Sequence, residues 1–233
     1  MKAPVYIKIH DEIREAIDAG RWRPGEKIPA ERELAEQFDV SRMTLRQAIM
    51  LLVDEGVLDR RVGSGTFVAE PKVQEQLNGV RSFTDMMAAA GKVATSKTMS
   101  YHLSSASTSE QKRLNLPDNA KVLRMERVRY GDGEPIAFEV ASIPAELIKD
   151  LDREALTGSL YKTLYDKQGI RVTRAQQTVT AAAVTERVAE LLDMRRGDPI
   201  LVLRQITFDQ NDQPFEYVRT QYVGSRFEFF LDR

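Results

Sequence analysis

The chain has 233 residues, of which 42% are hydrophobic and 30% charged, and its formal net charge at pH 7 is −1. This length is enough for two domains, no apolar run approaches the roughly 20 residues that cross a bilayer, and the first residues contain no apolar signal core, so we expect a cytoplasmic protein without membrane contact. With no cysteine and only two histidines, His10 and His102, disulfides, thiol chemistry and a Cys/His metal cage are disfavoured, and we expect neither a metal nor a cofactor.

Apolar spacing predicts two helices in the first 40 residues. The first is indicated by apolar residues at every fourth position and by a glycine stop: Val5, Ile9, Ile13, Ile17 and Gly20. A turn follows, in which Trp22 is expected to pack in a core rather than to bind a ligand. The second helix is predicted from about Ala30 to Phe38, with Leu34, Ala35 and Phe38 buried.

A third helix, Ser41–Val53, is predicted after a break of two residues. Ser41 is suited to capping its first turn. An apolar stripe with helical spacing runs along it, formed by Leu45, Ala48, Ile49 and Leu52. Arg42 and Arg46 lie one turn apart beside this stripe, where they can reach an anionic surface. Two helices joined so closely predict a helix-turn-helix, although a small helical bundle fits the pattern nearly as well.

The segment from Gly56 to Val68 predicts a β-hairpin with a Gly-Ser-Gly tip. Such a hairpin after a helix-turn-helix is typical of a wing, in which Arg60 and Arg61 would contact a phosphate backbone. Net charge gives no support, because residues 1–70 contain 11 Lys and Arg against 13 Asp and Glu. Any positive potential that attracts DNA must therefore be local.

From Val5 to Val68 the chain resembles the winged-helix domain of GntR-type bacterial transcription regulators, through the run PGEKIPAERELAEQFDVSRMTLRQAIMLLVDEGVLDRRVGSGTFV. The resemblance implies that Arg32 and Arg42 read base edges and that Gly63 lies in the minor groove. It further implies that DNA phosphates are held by Ser41, Thr44 and Arg46. Ala30 stands where the family usually has a capping serine, and loss of that oxygen should cost on the order of 1 kcal/mol of helix stability.

A polar segment at residues 70–77, which contains Pro71, is interpreted as a linker. It would separate a DNA-binding domain at residues 1–69 from a second domain at residues 78–233.

The second domain contains a weak internal repeat. Two runs each turn at a polar loop and return, one from Val122 to Glu139 and one from Val202 to Tyr217. Each follows a short predicted helix, at Leu114–Asn119 and at Val188–Gly197. The repeat predicts two hairpins in one mainly antiparallel sheet, with a pocket where the two halves meet.

The first hairpin becomes cationic along one face. Alternation places four residues on that face: Leu123, Met125, Arg127 and Arg129. A turn centred on Asp132 would put Arg127 opposite Ala137, with Glu139 on the same face. This face suits a small anion. A solvated charge ladder on the outside of the sheet, or pairing of arginine with glutamate within the hairpin, explains the pattern equally well.

Two hydroxyl-rich helix starts are candidates for a phosphate site. They are Ser82–Met87, directly after the linker, and Leu156–Tyr161. Simple helix capping explains each of them when it is taken alone.

Residues 78–233 resemble the effector-binding (UTRA) domain of the HutC branch of GntR regulators, whose fold is similar to chorismate lyase. Within that branch the chain most resembles the amino-sugar repressors that respond to glucosamine 6-phosphate or its N-acetyl form. The resemblance implies that the phosphate is held by Thr84, Arg127, Arg129, Ser159 and Tyr161. It implies that the sugar hydroxyls and amide are contacted by Glu139, Glu216 and Tyr222.

These observations predict an α+β protein: a winged helix-turn-helix followed by a chorismate-lyase-like domain with a mainly antiparallel sheet. We expect a homodimeric repressor that binds a palindromic DNA operator and is released or repositioned by a phosphosugar, with binding of the effector ordering Ser82–Met87. Other effectors, such as trehalose phosphate or urocanate, remain alternatives. A lyase-type enzyme is the rival class, since the fold relative is a lyase and Glu139 and Glu216 could form a two-carboxylate site, but we predict no catalytic residues.

Overall fold

The chain divides after Pro71 into two units, each with its own hydrophobic core. The computed structural model describes residues 4–61, 63–77 and 79–231. Within these ranges, no helix combines the length and the apolar character required to span a bilayer.

The first unit consists of three helices and a β-hairpin. Its elements are α1 (Val5–Asp18), α2 (Glu31–Gln37), α3 (Arg42–Asp54), β1 (Leu58–Arg61) and β2 (Gly65–Val68). The three helices lie within two residues of their predicted bounds, and β1 and β2 pair antiparallel as the predicted wing.

Helix α3 holds this unit together through its apolar stripe. Its four predicted core residues, Leu45, Ala48, Ile49 and Leu52, are fully buried. They pack with Ile9 and Ile13 of α1, because side chains three and four positions apart share one face of a helix. Trp22 is also buried in this core, which confirms its predicted packing role.

The two helices of the helix-turn-helix begin differently. Ser41 caps α3, since its Oγ accepts a hydrogen bond from the backbone N–H of Thr44 at 3.1 Å. Ala30 occupies the same position before α2 with extended backbone angles and makes no side-chain cap. Helix α2 therefore lacks the stabilisation that a serine or aspartate would supply.

Among the described residues, the second unit contains the larger sheet, five short α-helices and a 3-10 helix at Ala145–Leu147. Its elements are β3 (Val73–Gln76), α4 (Phe83–Ala89), β4 (Ala94–Ser105), α5 (Thr108–Leu114), β5 (Lys121–Gly131), β6 (Glu134–Pro144), α6 (Arg153–Gly158), α7 (Leu160–Gln168), β7 (Arg174–Ala183), α8 (Glu186–Leu191), β8 (Pro199–Phe208), β9 (Pro214–Val223) and β10 (Phe227–Phe230).

Six strands form one antiparallel sheet in the order β4-β5-β6-β9-β8-β7. Counted inward from either edge, the strands follow one another in chain order: β4, β5, β6 from one edge and β7, β8, β9 from the other. This arises because each half consists of a strand, a short helix and a hairpin. The predicted repeat is confirmed and gains a leading strand in each half. The predicted helix at Leu114–Asn119 is misplaced: α5 lies before it, capped by Ser107 and Glu110, and ends at Asn115 with a left-handed backbone. The second helix, α8, also ends earlier than predicted.

The register of the first hairpin differs from the prediction. Arg127 lies opposite Glu139, not Ala137, which instead faces Arg129. The turn has two residues, Asp132 and Gly133, both with positive φ, and a register shift follows between Arg129 and Tyr130. An irregularity of this kind moves every later pair along the strand, and the sequence pattern does not reveal it.

One face of the sheet is covered by two separate layers. Helices α6 and α7 pack over Leu123 and Met125 at one end. Helix α4 and strand β10 pack over Ala137 and Tyr222 at the other. The opposite face is covered by α5 and α8. A cavity remains on the first face, between its two layers.

Part of the predicted linker is a strand. Residues 73–76 form β3, which pairs in parallel with β10 in the second unit. Val73 and Glu75 are buried in this strand, while Gln74 is exposed. Its alternation is short and includes a charged residue at a buried position, so the composition resembles a solvated linker.

Helix α4 is held by its own local contacts. Ser82 and Asp85 form a reciprocal capping box at its start, and Met86 and Met87 are buried beneath it. These contacts lie within the chain itself, and ordering of Ser82–Met87 by effector binding stays a prediction.

Candidate functional site

The exposed face of α3 presents the residues expected to meet DNA. Arg42 and Arg46 are exposed beside the buried stripe, and Ser41 and Thr44 share a hydrogen bond at the N-terminus of the helix. The free backbone N–H groups of this first turn add positive potential. Positive charge is therefore concentrated at the N-terminus of α3, as DNA binding by this unit requires.

Arg32 and Arg42 come together across the turn between α2 and α3. Both line one shallow surface groove, together with Asp39 and Ser41. Asp39 adopts a positive φ of 50°, which is the left-handed geometry that aspartate tolerates in a tight turn. The two arginines predicted to read bases thus project from one edge of the helix-turn-helix.

Glu31, the first residue of α2, forms ion pairs with two other arginines. Its carboxylate accepts from Nε of Arg46 at 3.0 Å, and its second oxygen lies 3.3 Å from Nη2 of Arg60. Helix α3 and the wing are thereby tied to one carboxylate. The same pairing reduces the positive charge that Arg46 and Arg60 present outward.

The tip of the wing is exposed and built from glycine. Gly63 and Gly65 have φ values of +79° and +125°, which other residues adopt at a cost. Arg61 lies over the ring of Phe67 at 4.4 Å and pairs with Asp59 at 3.0 Å. Among the described tip residues 63–65, Ser64 alone carries a side chain, and that side chain is small.

The cavity of the second unit collects most of the predicted effector residues. Seven of the eight line it: Arg127, Arg129, Glu139, Ser159, Tyr161, Glu216 and Tyr222. Thr84 does not; it is exposed on α4. The cavity has a volume of about 60 Å³, well below the several hundred Å³ of typical ligand pockets. A sugar phosphate therefore enters only if part of the wall moves.

Arg127 and Glu139 form a buried cross-strand pair. Nε of Arg127 donates to Oε1 of Glu139 at 2.9 Å, and Nη2 donates to the same oxygen. Nη1 donates to the carbonyl of Thr157 at 3.0 Å. Burial acts to raise the pKa of Glu139, but Arg127 and Arg129 outweigh it and hold the pKa below its usual value. The outer-face charge ladder is thus wrong, while pairing within the hairpin is confirmed for Arg127.

Arg129 is a buried charge without a carboxylate partner among the described residues. Only 3% of it is exposed. Nη1 donates to Oγ of Ser96 at 2.9 Å, and the guanidinium lies 4.5 Å from the ring of Phe83. Its Nε has no hydrogen-bond partner among those residues. Burial lowers the pKa of Arg129 to about 10, which leaves it cationic at neutral pH and open to an anion.

Glu216 is the centre of a polar network on the other side of the cavity. It accepts hydrogen bonds from the hydroxyls of Tyr161 at 2.7 Å and Thr207 at 3.0 Å. Gln205 donates to both Tyr161 and Thr207 and accepts from Gln177. Burial, reinforced by the carboxylate of Glu139, raises the pKa of Glu216 to about 7. The carboxyl group of Glu216 is therefore close to half-protonated at neutral pH.

The hydroxyl of Ser159, at the start of α7, makes no hydrogen bond with any of the described residues. It occupies the N-cap position but makes no side-chain cap hydrogen bond. Simple capping does not explain this serine, which lines the cavity.

Several lining residues escape sequence reasoning. They are Glu75, Arg81, Phe83, Gln177, Gln205 and Thr220. Alternation along β8 and β9 places Gln205 and Thr220 on the inner face with Glu216. The sequence of the second hairpin therefore contains the same signal that identifies Arg127 and Arg129 in the first. Glu75 and Arg81 give no local signal, because they fall in and just after the predicted linker.

The two carboxyl groups of the enzyme hypothesis do share the cavity. Glu139 is engaged by Arg127, however, and Glu216 by Tyr161 and Thr207. Each is thus held in a fixed hydrogen-bonding role, which suits recognition of polar groups on a ligand.

The chain matches two protein-family models and is similar to named transcription regulators. Residues 5–68 match the family described as "Bacterial regulatory proteins, gntR family", and residues 89–228 match the UTRA domain. The Bacillus subtilis (strain 168) "HTH-type transcriptional repressor NagR" is 34% identical over 99% of this chain and 96% of its own length. The Escherichia coli (strain K12) "Probable fructoselysine utilization operon transcriptional repressor" is 36% identical over 90% of this chain and 86% of its own. The crystal structure of PhnF from Mycobacterium smegmatis is similar with a TM-score of 0.69 and 33% identity, covering 96% of this chain and 98% of that one.

Proposed function

Because the chain belongs to the GntR family of bacterial transcription regulators, with the UTRA domain of its HutC-type repressors, we propose that it is a homodimeric repressor released or repositioned on its operator by a phosphosugar. It is a regulator and not an enzyme. It acts on DNA in the cytoplasm. The preferred effectors are glucosamine 6-phosphate and N-acetylglucosamine 6-phosphate.

The observation that carries the choice of a phosphate is the state of Arg129. The charges of Arg127 and Arg81 are matched by Glu139 and Glu75, whereas Arg129 has a free Nε and no ion pair among the described residues. A phosphate oxygen would satisfy that nitrogen, and a dianion would balance the buried charge. The hydroxyl of Ser159, which binds none of the described residues, adds a donor at the same cavity, whereas the single hydroxyl proton of Tyr161 is already donated to Glu216.

The sugar is supported by acceptor groups on strands β6 and β9, which lie beside β5 in the same sheet. Glu216 and Glu139 accept hydrogen bonds from hydroxyl or amide groups, and Tyr222 supplies both a ring and a hydroxyl. Tyr222 stacks on Phe227 with a centroid distance of 4.0 Å, so its position is fixed. A ligand with an anionic end and several hydroxyl groups matches this division.

DNA recognition is assigned to the first unit. We propose that Arg42 and Arg32 read base edges from their shared groove and that Ser41, Thr44 and Arg46 hold phosphates. Arginine suits base reading because its planar fork binds a guanine edge through two hydrogen bonds. Gly63 at the tip of the wing would approach the minor groove, with Arg60 and Arg61 on the backbone. Two such units in a dimer would match a palindromic operator.

The test is titration of a fluorescent operator, selected by the full chain from random duplexes, in the presence of candidate effectors. Glucosamine 6-phosphate and N-acetylglucosamine 6-phosphate are expected to weaken operator binding. The same sugars without phosphate serve as matched controls and should have no effect. A response to trehalose phosphate or urocanate alone would assign another effector, and sedimentation of the complex as one protomer per operator would contradict the dimer.

A further inference from the structure

Glu75 and Arg81 form an ion pair in the wall of the effector cavity. Nη2 of Arg81 donates to Oε2 of Glu75 at 2.8 Å, and both residues line the cavity beside Arg129. The carboxylate side chain is only 7% exposed, whereas that of the arginine is 38% exposed. The pair therefore joins a buried acid, fixed in strand β3, to a cation that can turn toward solvent or ligand.

The two members of this pair respond in opposite ways to an anion in the cavity. Arg81 would be attracted and Glu75 repelled, since both face the same enclosed volume. Burial raises the pKa of Glu75, and Arg81 counteracts that shift. If Arg81 turns to the anion, Glu75 is left as a buried carboxylate without its counter-charge, which is unfavourable.

We propose that Arg81 is a further effector-binding residue, and that an anionic effector takes it from Glu75 and so loosens strand β3. This inference rests on the proposed function, because it assumes a phosphorylated effector in this cavity. It also accounts for how the small cavity opens, since the pair that separates is part of its wall.

Strand β3 is placed to pass this change along the chain. It begins two residues after Pro71, where the first unit ends. Its only sheet partner among the described residues is the four-residue strand β10. Backbone hydrogen bonds hold its ends, from N–H of Val73 to the carbonyl of Arg226 and from N–H of Leu77 to the carbonyl of Phe230. A strand held this lightly is easily released when a buried group within it loses its partner.

The test compares Glu75→Gln with Glu228→Gln in the full chain. Glu228 is a matched control, because it lies on the paired strand β10, accepts from Gln74 at 2.7 Å and does not line the effector cavity. Glu75→Gln should bind glucosamine 6-phosphate roughly 3-fold or more tightly, and the factor by which that sugar weakens operator binding should fall by roughly 5-fold. Glu228→Gln should change neither quantity.

Arg81→Gln tests the other partner and should weaken binding of glucosamine 6-phosphate by roughly 10-fold. Hydrogen exchange on the unmodified protein provides a readout that needs no variant: saturating glucosamine 6-phosphate should speed exchange of the backbone amides of Val73 and Leu77. The inference is overturned if Glu75→Gln behaves as Glu228→Gln does, or if exchange in β3 is unchanged by the sugar. If the unmodified protein binds neither amino-sugar phosphate, the proposed function falls as well.

Discussion

Arg127 donates two hydrogen bonds to a single carboxylate oxygen of Glu139, its direct cross-strand partner. Truncation of Arg127 would leave that carboxylate buried and unpaired. We expect Arg127→Ala to lower the free energy of unfolding by about 3–5 kcal/mol. Chemical denaturation in the absence of effector measures this loss. A loss below about 1 kcal/mol would contradict a structural role for the pair.

Arg129→Met is expected to show the reverse behaviour, because this arginine has no carboxylate partner among the described residues. Affinity for glucosamine 6-phosphate should fall roughly 10- to 100-fold, as charge-assisted hydrogen bonds are lost, while the free energy of unfolding is unchanged or raised. Calorimetric titration and denaturation measure the two quantities. Arg219→Met, on the opposite face of the same sheet, is the control and should leave effector affinity unaltered.

Glu216 makes stability depend on pH. Its pKa is raised from 4.5 to about 7, so the folded chain binds more protons than the unfolded chain between these values. Stability therefore falls as the pH rises through this window, and the loss is complete above about pH 7. Glu216→Gln cannot ionise. As the pH rises, its free energy of unfolding should therefore increase relative to that of the unmodified protein, by up to about 3 kcal/mol.

Denaturation at about pH 5 and about pH 8 measures this difference. Glu190→Gln, on the exposed surface of α8, removes a carboxylate of the same type as a control. If Glu216→Gln changes the free energy of unfolding equally at the two pH values, Glu216 ionises with an ordinary pKa.

Arg42 and Arg46 should differ in how they affect DNA binding. Arg42→Ala is expected to weaken operator binding by about 1–3 kcal/mol. It should also reduce the difference in affinity between the operator and a scrambled duplex. Arg46→Ala should weaken both duplexes alike and reduce the salt dependence by about one phosphate contact. Fluorescence anisotropy over a range of salt separates these effects. Identical behaviour of the two variants would contradict the assigned division between reading and positioning.

Glu31→Gln should release the two arginines that this carboxylate gathers. Arg46 and Arg60 would then be available to phosphates, and we expect non-specific DNA affinity to rise roughly 3- to 10-fold at low salt. Glu33→Gln, in the same first turn of α2, is a control with the same change in net charge. A fall in affinity would show that Glu31 orients these arginines for DNA rather than withholding them.

Local signals in the sequence were sufficient where the structure is local. The cap at Ser41 and the apolar stripe of α3 place that helix within one residue, because both depend on neighbours within two turns. Alternation likewise identifies the inner face that carries Arg127 and Arg129. Contacts between distant segments were not predictable in this way. The parallel pairing of β3 with β10 joins residues about 150 positions apart, and the register shift at Arg129 is a backbone irregularity without a residue signature.

The proposed effector site also combines residues that the sequence identifies with residues that it does not. Gln205 and Thr220 follow from the face argument once the second hairpin is treated like the first. Glu75 and Arg81 do not, since only the folding of β3 against β10 brings them to the cavity. Thr84 is the opposite case: its residue type fits a phosphate site, but its side chain is exposed on α4, outside the cavity lining.

The burial of Trp22 gives the chain a natural optical label. It is the single tryptophan of the sequence, and it lies in the core of the first unit. Of the seven tyrosines, only Tyr6 belongs to that unit. Selective excitation of indole emission therefore follows melting of the DNA-reading unit alone, while tyrosine emission is dominated by the effector unit. The two halves of the regulator are distinguishable in one cuvette without attaching a dye.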